Sequence, residues 1–201
     1  PVAAGSIMTA AGPRSEDALG LIAEGNVDMP YATVNPYCLD EPVSPHLAAR
    51  AAGVAIELPC IEKNFRKLQA AADYVIVEGA GGWFAPLNDT QFIADLAATL
   101  ALPVLLDVGL RLGCLNHTLL TGAARRLQQL GRAGWIANHI DPGFARLPEN
   151  LATLERHIGM PPITVVDHDS RAPGMTHLPP AAVAALIQSA QCAQHSSVSK
   201  V

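Results

Sequence analysis

Alternation between apolar segments and amphipathic helices constrains this chain more than any other feature of its sequence. Four segments are rich in β-branched or aliphatic residues, and stretches with helical spacing separate them. They are "DYVIVE" at 73–78, "LPVLLDVG" at 102–109, "AGWIANHI" at 133–140 and "PPITVVD" at 161–167. Strands that are apolar throughout and alternate with helices indicate right-handed βαβ units around a parallel sheet. The sequence therefore predicts an α/β fold, with a mostly parallel sheet flanked by helices.

Local signals place the intervening helices. Ser15 precedes a helically spaced apolar run that ends at Gly25, and Ser44 is followed by Pro45, a cap and a first-turn proline. The segment 56–72 puts Leu58, Ile61, Phe65 and Leu68 on one helical stripe. Further helices are predicted at 90–101, 115–131, 148–159 and 180–193.

Composition bounds the class of protein. The chain has 201 residues, is 50% hydrophobic and 4% aromatic, and carries a net charge of −5 without a basic run. Nucleic acid and acidic membranes are therefore excluded as partners. Four scattered cysteines and the absence of an apolar stretch of about 18 residues favour a cytoplasmic protein with reduced thiols. We expect a single domain over 1–190, incomplete at its N-terminus, and a flexible polar tail over 191–201.

The strongest candidate site is "VIVEGAGGWFAPLNDT", where Glu78 ends an apolar segment and glycines follow it. Ligands of parallel sheets bind outside the carboxyl ends of the strands. An acid at a strand end can hold Mg²⁺, and glycines let the backbone approach a phosphate. A tight turn with a solvated glutamate explains the same residues, and both interpretations stay open.

Other polar residues near predicted element ends carry weaker signals. Asp17 lies in the first turns of a helix, where an acid also interacts favourably with the helix dipole. Asn138 ends a strand, where it could contact a base or satisfy a turn. Asp107 interrupts an apolar strand, so its carboxylate must be paired, hydrated or protonated. The seven histidines show no ligand spacing, so no transition-metal site is assigned.

Several contiguous motifs, in order, resemble the dethiobiotin synthetase family. They are "PVAAG", "EDAL", "YATVNPY", "EPVSPHLAA", "VEGAGGWFAPL", "LPVLLDVGLRLGCLNHTLLT" and "GWIAN". The resemblance covers Pro1 to about Val166. It implies a P-loop NTPase-like homodimer that uses ATP and Mg²⁺ to close a ureido ring on 7,8-diaminononanoate and CO2.

The resemblance also implies roles for individual residues. Asp17 and Glu78 would bind or orient Mg²⁺ and, with Gly79, Ala80 and Gly81, contribute to the ATP site. The diamine would contact Gly81 and the strand-end backbone of Leu106 and Gly109. Asn116, at a helix start suited to an anion, would receive the substrate carboxylate across the dimer interface. Asn138 would hydrogen-bond the adenine.

The sequence departs from the family pattern in several places. Family members begin with a strand, a Gly-Lys-Thr loop and a helix, and residues 1–201 contain no G-x-x-x-x-G-K-[ST] motif. The family's catalytic lysine would lie one position before Pro1, so no catalytic residue is assigned. Ala4 stands where the family has serine, Asp107 where it has an aliphatic residue, and Arg111 where lysine is usual. "VVDHD" replaces a proline-containing adenine turn, so no nucleotide contact is assigned to 167–169.

These departures leave three hypotheses. The first is the ligase, present here as a fragment or partial gene model that lacks the first strand, P-loop and helix. Residues 1–201 alone are then expected to bind ATP weakly and not to catalyse the ligase reaction. The second is a degenerate paralogue that acts as a dimeric binding or regulatory module. The third is a different P-loop relative, of the kind that catalyses amidation or acts in partitioning. The motifs "YATVNPY" and "LGCLNHTLLT" argue against this hypothesis.

Overall fold

A computed structural model describes residues 1–127, 130–168 and 180–188. It divides into two compact units, Pro1–Leu100 and Ala101–Val201. Both contain parallel strands and helices, which confirms the predicted α/β class. A single domain over 1–190 stays a prediction, and the tail over 191–201 lies outside the described residues.

The first unit contains two pairs of short strands and five helices along its described length. Strands β1 (Val2–Ala4) and β4 (Tyr37–Leu39) are parallel, whereas β2 (Ile7–Thr9) and β3 (Gly12–Arg14) form an antiparallel hairpin. The helices are α1 (Glu16–Glu24), α2 (Tyr31–Val34), α3 (Pro45–Ala51), α4 (Leu58–Ala71) and α5 (Ile93–Leu100).

Most of the predicted helix signals of this unit are confirmed, although the helix predicted over 90–101 begins at Ile93. Ser15 caps the start of α1, where its hydroxyl accepts a hydrogen bond from the Ala18 amide at 3.4 Å. Gly25 caps the end of the same helix. Pro45 begins α3. Leu58, Ile61 and Phe65 are buried on one face of α4, as helical spacing requires.

Residues 73–78 depart from the predicted strand. The structure assigns no strand to them, and the side chains of Tyr74 and Ile76 are 53% and 87% exposed. A strand needs a neighbour that completes its ladder, and no strand of the first unit's described residues pairs with this segment. Glu78 therefore ends a largely exposed segment without an assigned strand, rather than a buried strand.

The second unit contains a parallel three-stranded sheet. Strand β5 (Val104–Gly109) pairs with β6 (Arg132–Asn138), which pairs with β7 (Thr164–Val166). Helices α6 (Cys114–Leu127) and α7 (Leu147–Ile158) lie between these strands in sequence, and 180–188 is also helical. Right-handed βαβ connections explain why consecutive strands here are parallel neighbours.

Trp135 lies at the centre of the second unit's core. Its side chain is fully buried with Val108, Leu110 and Leu154, and its indole N–H donates to the Met160 carbonyl at 3.0 Å. This packing anchors β6, whose last residue is Asn138.

Two sequence expectations concern thiols and membranes. Cys38, Cys60 and Cys114 are free, and Cys192 lies outside the described residues. No helix within the described ranges is long and apolar enough to cross a bilayer.

Candidate functional site

A cavity of about 720 Å³ lies in the first unit and is the candidate site. Three parts of the chain form most of its wall: β1, the first turn of α1 and the glycine-containing turn after Glu78. A fourth part is Pro42–Pro45, in the loop before α3. The cavity is large enough for a small-molecule ligand.

Asp17 and Glu78 both line this cavity. They are the ionisable side chains among its lining residues, and both are exposed to solvent. Neither belongs to an ion pair among the described residues. Two carboxylates that share a cavity without a basic side chain favour a cation there.

The donor set fits magnesium better than a transition metal. No group of three or more His, Cys, Asp or Glu side chains suited to a metal occurs in the described part of the chain. Mg²⁺ is commonly held by one or two carboxylates, with waters and substrate phosphates completing its octahedron. Asp17 and Glu78 provide that number of protein ligands.

The start of the chain lies close to Glu78. Burial lowers the pKa of the Pro1 ammonium, and the negative charge of Glu78 opposes that shift. Pro1 also lines the cavity.

Different structural features explain why glycine occupies the positions after Glu78. A Cβ on Gly79 would lie 3.0 Å from the Ile93 side chain, and a Cβ on Gly81 would lie 3.0 Å from the Ala85 Cβ. Gly81 and Gly82 both have left-handed backbones, with φ of +78° and +97°. Gly79, Ala80 and Gly81 line the cavity, so their backbone is accessible to a ligand.

Substitution of these glycines tests the turn. We expect Gly81→Ala to lose about 1–2 kcal/mol of unfolding free energy from its positive φ, plus roughly 1 kcal/mol from crowding against Ala85. Gly82→Ala is the matched control, because it has the same strain but no heavy atom within 4 Å of its Cβ. Urea unfolding measures both, and equal losses would contradict the crowding argument.

A hydroxyl holds the start of α1 beside the cavity. The Tyr31 hydroxyl accepts from the Ser15 amide at 2.7 Å and from the Asn35 side chain at 3.0 Å. It donates to the Cys38 sulfur at 3.3 Å. Burial raises the pKa of Tyr31, as does the bond to Cys38, while the other two bonds oppose the shift. Sequence reasoning missed this network because its members share no periodicity.

Asn138 and Asp107 meet in the second unit. Asn138 ends β6 opposite Gly109, and its side-chain amide donates to the Asp107 carboxylate at 3.5 Å. Asp107 is exposed. Of the three environments predicted for Asp107, the structure therefore shows a hydrated carboxylate with a long hydrogen bond. The adenine contact of Asn138 stays a prediction.

Leu106 and Gly109 lie on β5, and local packing explains both. The Leu106 side chain packs against the core around Trp135. A Cβ on Gly109 would lie 2.7 Å from the end of the Ile140 side chain, so a larger residue there would require that exposed side chain to shift. Their predicted diamine contacts remain predictions.

Asn116 is the third residue of α6 and is exposed. Leu112 and Leu120 beside it are 92% and 61% exposed. An exposed amide at a helix start could receive a carboxylate, so the assigned substrate role remains a prediction.

Sequence reasoning assigned no role to three parts of the cavity wall. They are Val34–Asn35, Pro42–Pro45 and Phe84. Asn35 is 3% exposed, and a buried amide is a signal of structural or functional use. Such burial cannot be read from a lone asparagine in the sequence.

Comparison with known proteins identifies the family. A family model described as "AAA domain" matches residues 10–175. The ATP-dependent dethiobiotin synthetase BioD of Xanthomonas oryzae pv. oryzae (strain PXO99A) is 49% identical over 161 residues, 80% of this chain and 72% of that protein. The proteins of the same name from Aromatoleum aromaticum and Pseudomonas paraeruginosa are 49% and 45% identical, and the matches cover 84% and 92% of this chain and 75% and 79% of theirs. The chain therefore belongs to the ATP-dependent dethiobiotin synthetase family.

Proposed function

We propose that this protein is an ATP-dependent ligase of biotin biosynthesis, which forms the ureido ring of dethiobiotin from 7,8-diaminononanoate and CO2. The observation that carries the proposal is the placement of Asp17 and Glu78 on one cavity beside the glycine turn, in a chain of this family. We further propose that it acts in the cytoplasm as a homodimer. The resemblance supports both points.

The proposed reaction has three bond-forming steps. One amine attacks CO2 and loses a proton to form a carbamate. A carbamate oxygen then attacks the γ-phosphorus of ATP, and ADP leaves. The second amine attacks the carbamoyl carbon and loses a proton, while the C–O bond to phosphate breaks, so phosphate leaves and the ring closes.

The chain's own residues would bind and orient the reactants. Asp17 and Glu78 would hold Mg²⁺, which when bound would neutralise charge on the phosphate oxygens. Gly79, Ala80 and Gly81 would let phosphate and diamine approach the backbone. Phosphoryl transfer depends mainly on such positioning and charge neutralisation.

Residues of the second unit would supply recognition. Asn138 would hydrogen-bond the adenine, and the backbone of Leu106 and Gly109 would contact the diamine. Asn116 would receive the carboxylate of a diamine bound to the partner subunit. Support for these roles comes from the matched motifs and, for Asn116, from its exposed place at the start of α6.

A fusion tests the proposed reaction. The strand, Gly-Lys-Thr loop, helix and lysine of a relative would be joined before Pro1, and diamine-dependent ADP release measured. We expect turnover from the fusion but not from residues 1–201 alone, which contain no such loop. A correctly folded fusion that releases no ADP would contradict the ligase proposal.

Asp107 provides a test of substrate recognition in the fusion. We propose that its exposed carboxylate attracts a substrate ammonium. Asp107→Val should then raise the diamine KM about three- to tenfold without a comparable change in the KM for ATP, as expected for loss of one exposed charge. Glu155→Val, at a half-exposed acid of α7 in the same unit, is the control. An unchanged diamine KM in Asp107→Val would contradict the proposed attraction between Asp107 and the substrate ammonium.

A non-catalytic binding or regulatory module is the second candidate. Ala4 in place of the family serine and the carboxylate of Asp107 favour it. Such a module would bind the diamine without releasing ADP even in the fusion.

A further inference from the structure

One of the two hydrogen bonds of a capping box is absent at the start of α1. In a capping box, the third helical residue is Glu or Gln, and its side chain accepts from the backbone N–H of the capping residue. Here the third residue is Ala18, which has no acceptor on its side chain. The Ser15 N–H is instead bound by the Tyr31 hydroxyl, 16 residues away, at 2.7 Å.

This hydroxyl connects α1 to the strand beside β1. Cys38, which accepts from it, lies in β4 and pairs with Ala3 of β1. Asn35, which donates to it, is buried and lines the cavity. The hydroxyl thus uses its proton and accepts two hydrogen bonds, so its position is fixed from three directions.

Asp17 is the second residue of the helix that begins at Ser15. Asp17 lines the cavity and lies two residues after the bonded Ser15 amide. Any shift of Ser15 therefore displaces Asp17. We propose that Tyr31 is a positioning residue, whose hydroxyl fixes the first turn of α1 and so sets the carboxylate of Asp17 for a divalent cation. This inference rests on the proposed cation-binding role of Asp17.

The chain offers a closely matched control. The Tyr37 hydroxyl accepts from the Glu57 amide at 3.0 Å, and Glu57 is the residue before α4, although its side chain makes no capping hydrogen bond. No residue of α4 lines the cavity. Tyr37→Phe therefore removes the same kind of bond from a helix that does not face the proposed site.

The test uses Mn²⁺ alone as the probe and the ¹⁵N-labelled chain. Paramagnetic broadening of the amide signals around Asp17 and Glu78 gives the apparent Mn²⁺ affinity. We expect Tyr31→Phe to weaken that affinity about three- to tenfold and Tyr37→Phe to leave it unchanged. Asp17→Asn should weaken it at least as much as Tyr31→Phe.

A double variant separates positioning from general loosening. If Tyr31 acts through Asp17, adding Tyr31→Phe to Asp17→Asn should cause no further loss of affinity. Additive losses, or equal losses from Tyr31→Phe and Tyr37→Phe, would overturn the inference. If Tyr31→Phe does not fold, Cys38→Ala removes the acceptor of the same hydroxyl, and unchanged affinity in that variant would count against the inference.

Amide hydrogen exchange distinguishes this inference from the proposed function. If neither Asp17→Asn nor Glu78→Gln changes Mn²⁺ broadening, the proposed cation site fails. The role of Tyr31 in fixing α1 is then judged by exchange at 15–18. Faster exchange there in Tyr31→Phe than in Tyr37→Phe supports that role, and equal exchange overturns it.

Discussion

Glu78→Gln is expected to reduce Mg²⁺-dependent turnover of the fusion at least about 100-fold, which corresponds to about 2.7 kcal/mol of transition-state stabilisation. The amide keeps the size of the side chain but removes the charge that would hold the cation. Glu78 is exposed and takes part in none of the described ion pairs. The substitution should therefore change the unfolding free energy of the protein by less than about 0.5 kcal/mol. Steady-state ADP release and urea unfolding measure the two effects.

Glu24→Gln is the matched control for this prediction. Glu24 is also an exposed acid of the first unit, but it lies at the end of α1 and does not line the cavity. Its substitution should leave both quantities unchanged. Equal activity losses in the two variants would show that net charge, not a cation site at Glu78, affects turnover.

Trp135→Ala is expected to destabilise the second unit by about 3–5 kcal/mol, the usual cost of removing a buried tryptophan side chain. The loss combines a cavity among Val108, Leu110 and Leu154 with an unpaired carbonyl at Met160. Because Trp135 anchors β6, the hydrogen bond between Asn138 and Asp107 should also weaken. Thermal unfolding followed by circular dichroism measures the stability change.

Leu112→Ala provides the contrast within the same unit. Leu112 is 92% exposed, so its removal should change stability by less than about 0.5 kcal/mol. A Trp135→Ala loss as small as that of Leu112→Ala would contradict the assigned core.

Elements specified by nearby residues could be predicted from the sequence. Ser15 and Gly25 bound α1 through hydrogen bonds that span only a few residues, and the stripe of Leu58, Ile61 and Phe65 needs only helical spacing. The strands that carry Asp107 and Asn138 were predicted because both are apolar and separated by a helix. Local pattern was sufficient in each case.

Elements that depend on distant partners could not be predicted. The apolar pattern of 73–78 indicated a strand, but a strand also requires a paired neighbour. Strand β4 was missed because Pro36 precedes only three strand residues, and its pairing with β1 spans more than thirty positions. The bond from Tyr31 to Ser15 has no sequence pattern at all.

The candidate site was partly predictable for the same reason. The family motifs selected Asp17 and Glu78, and both line the cavity. The strand-end rule also selected Glu78, although the structure assigns no strand to 73–78. The glycine at 109 was also selected, yet its close contact with the Ile140 side chain offers a packing explanation for it. Sequence cannot separate a glycine kept for a ligand from one kept for packing.

The most direct test of the cation site is an anomalous-scattering map of the fusion, crystallised with Mn²⁺ and a non-hydrolysable ATP analogue. We predict a manganese peak in the cavity, about 2.1 Å from a carboxylate oxygen of Glu78 and bound to Asp17 directly or through one water. A peak elsewhere on the nucleotide, with neither carboxylate within water-bridging distance, would contradict it.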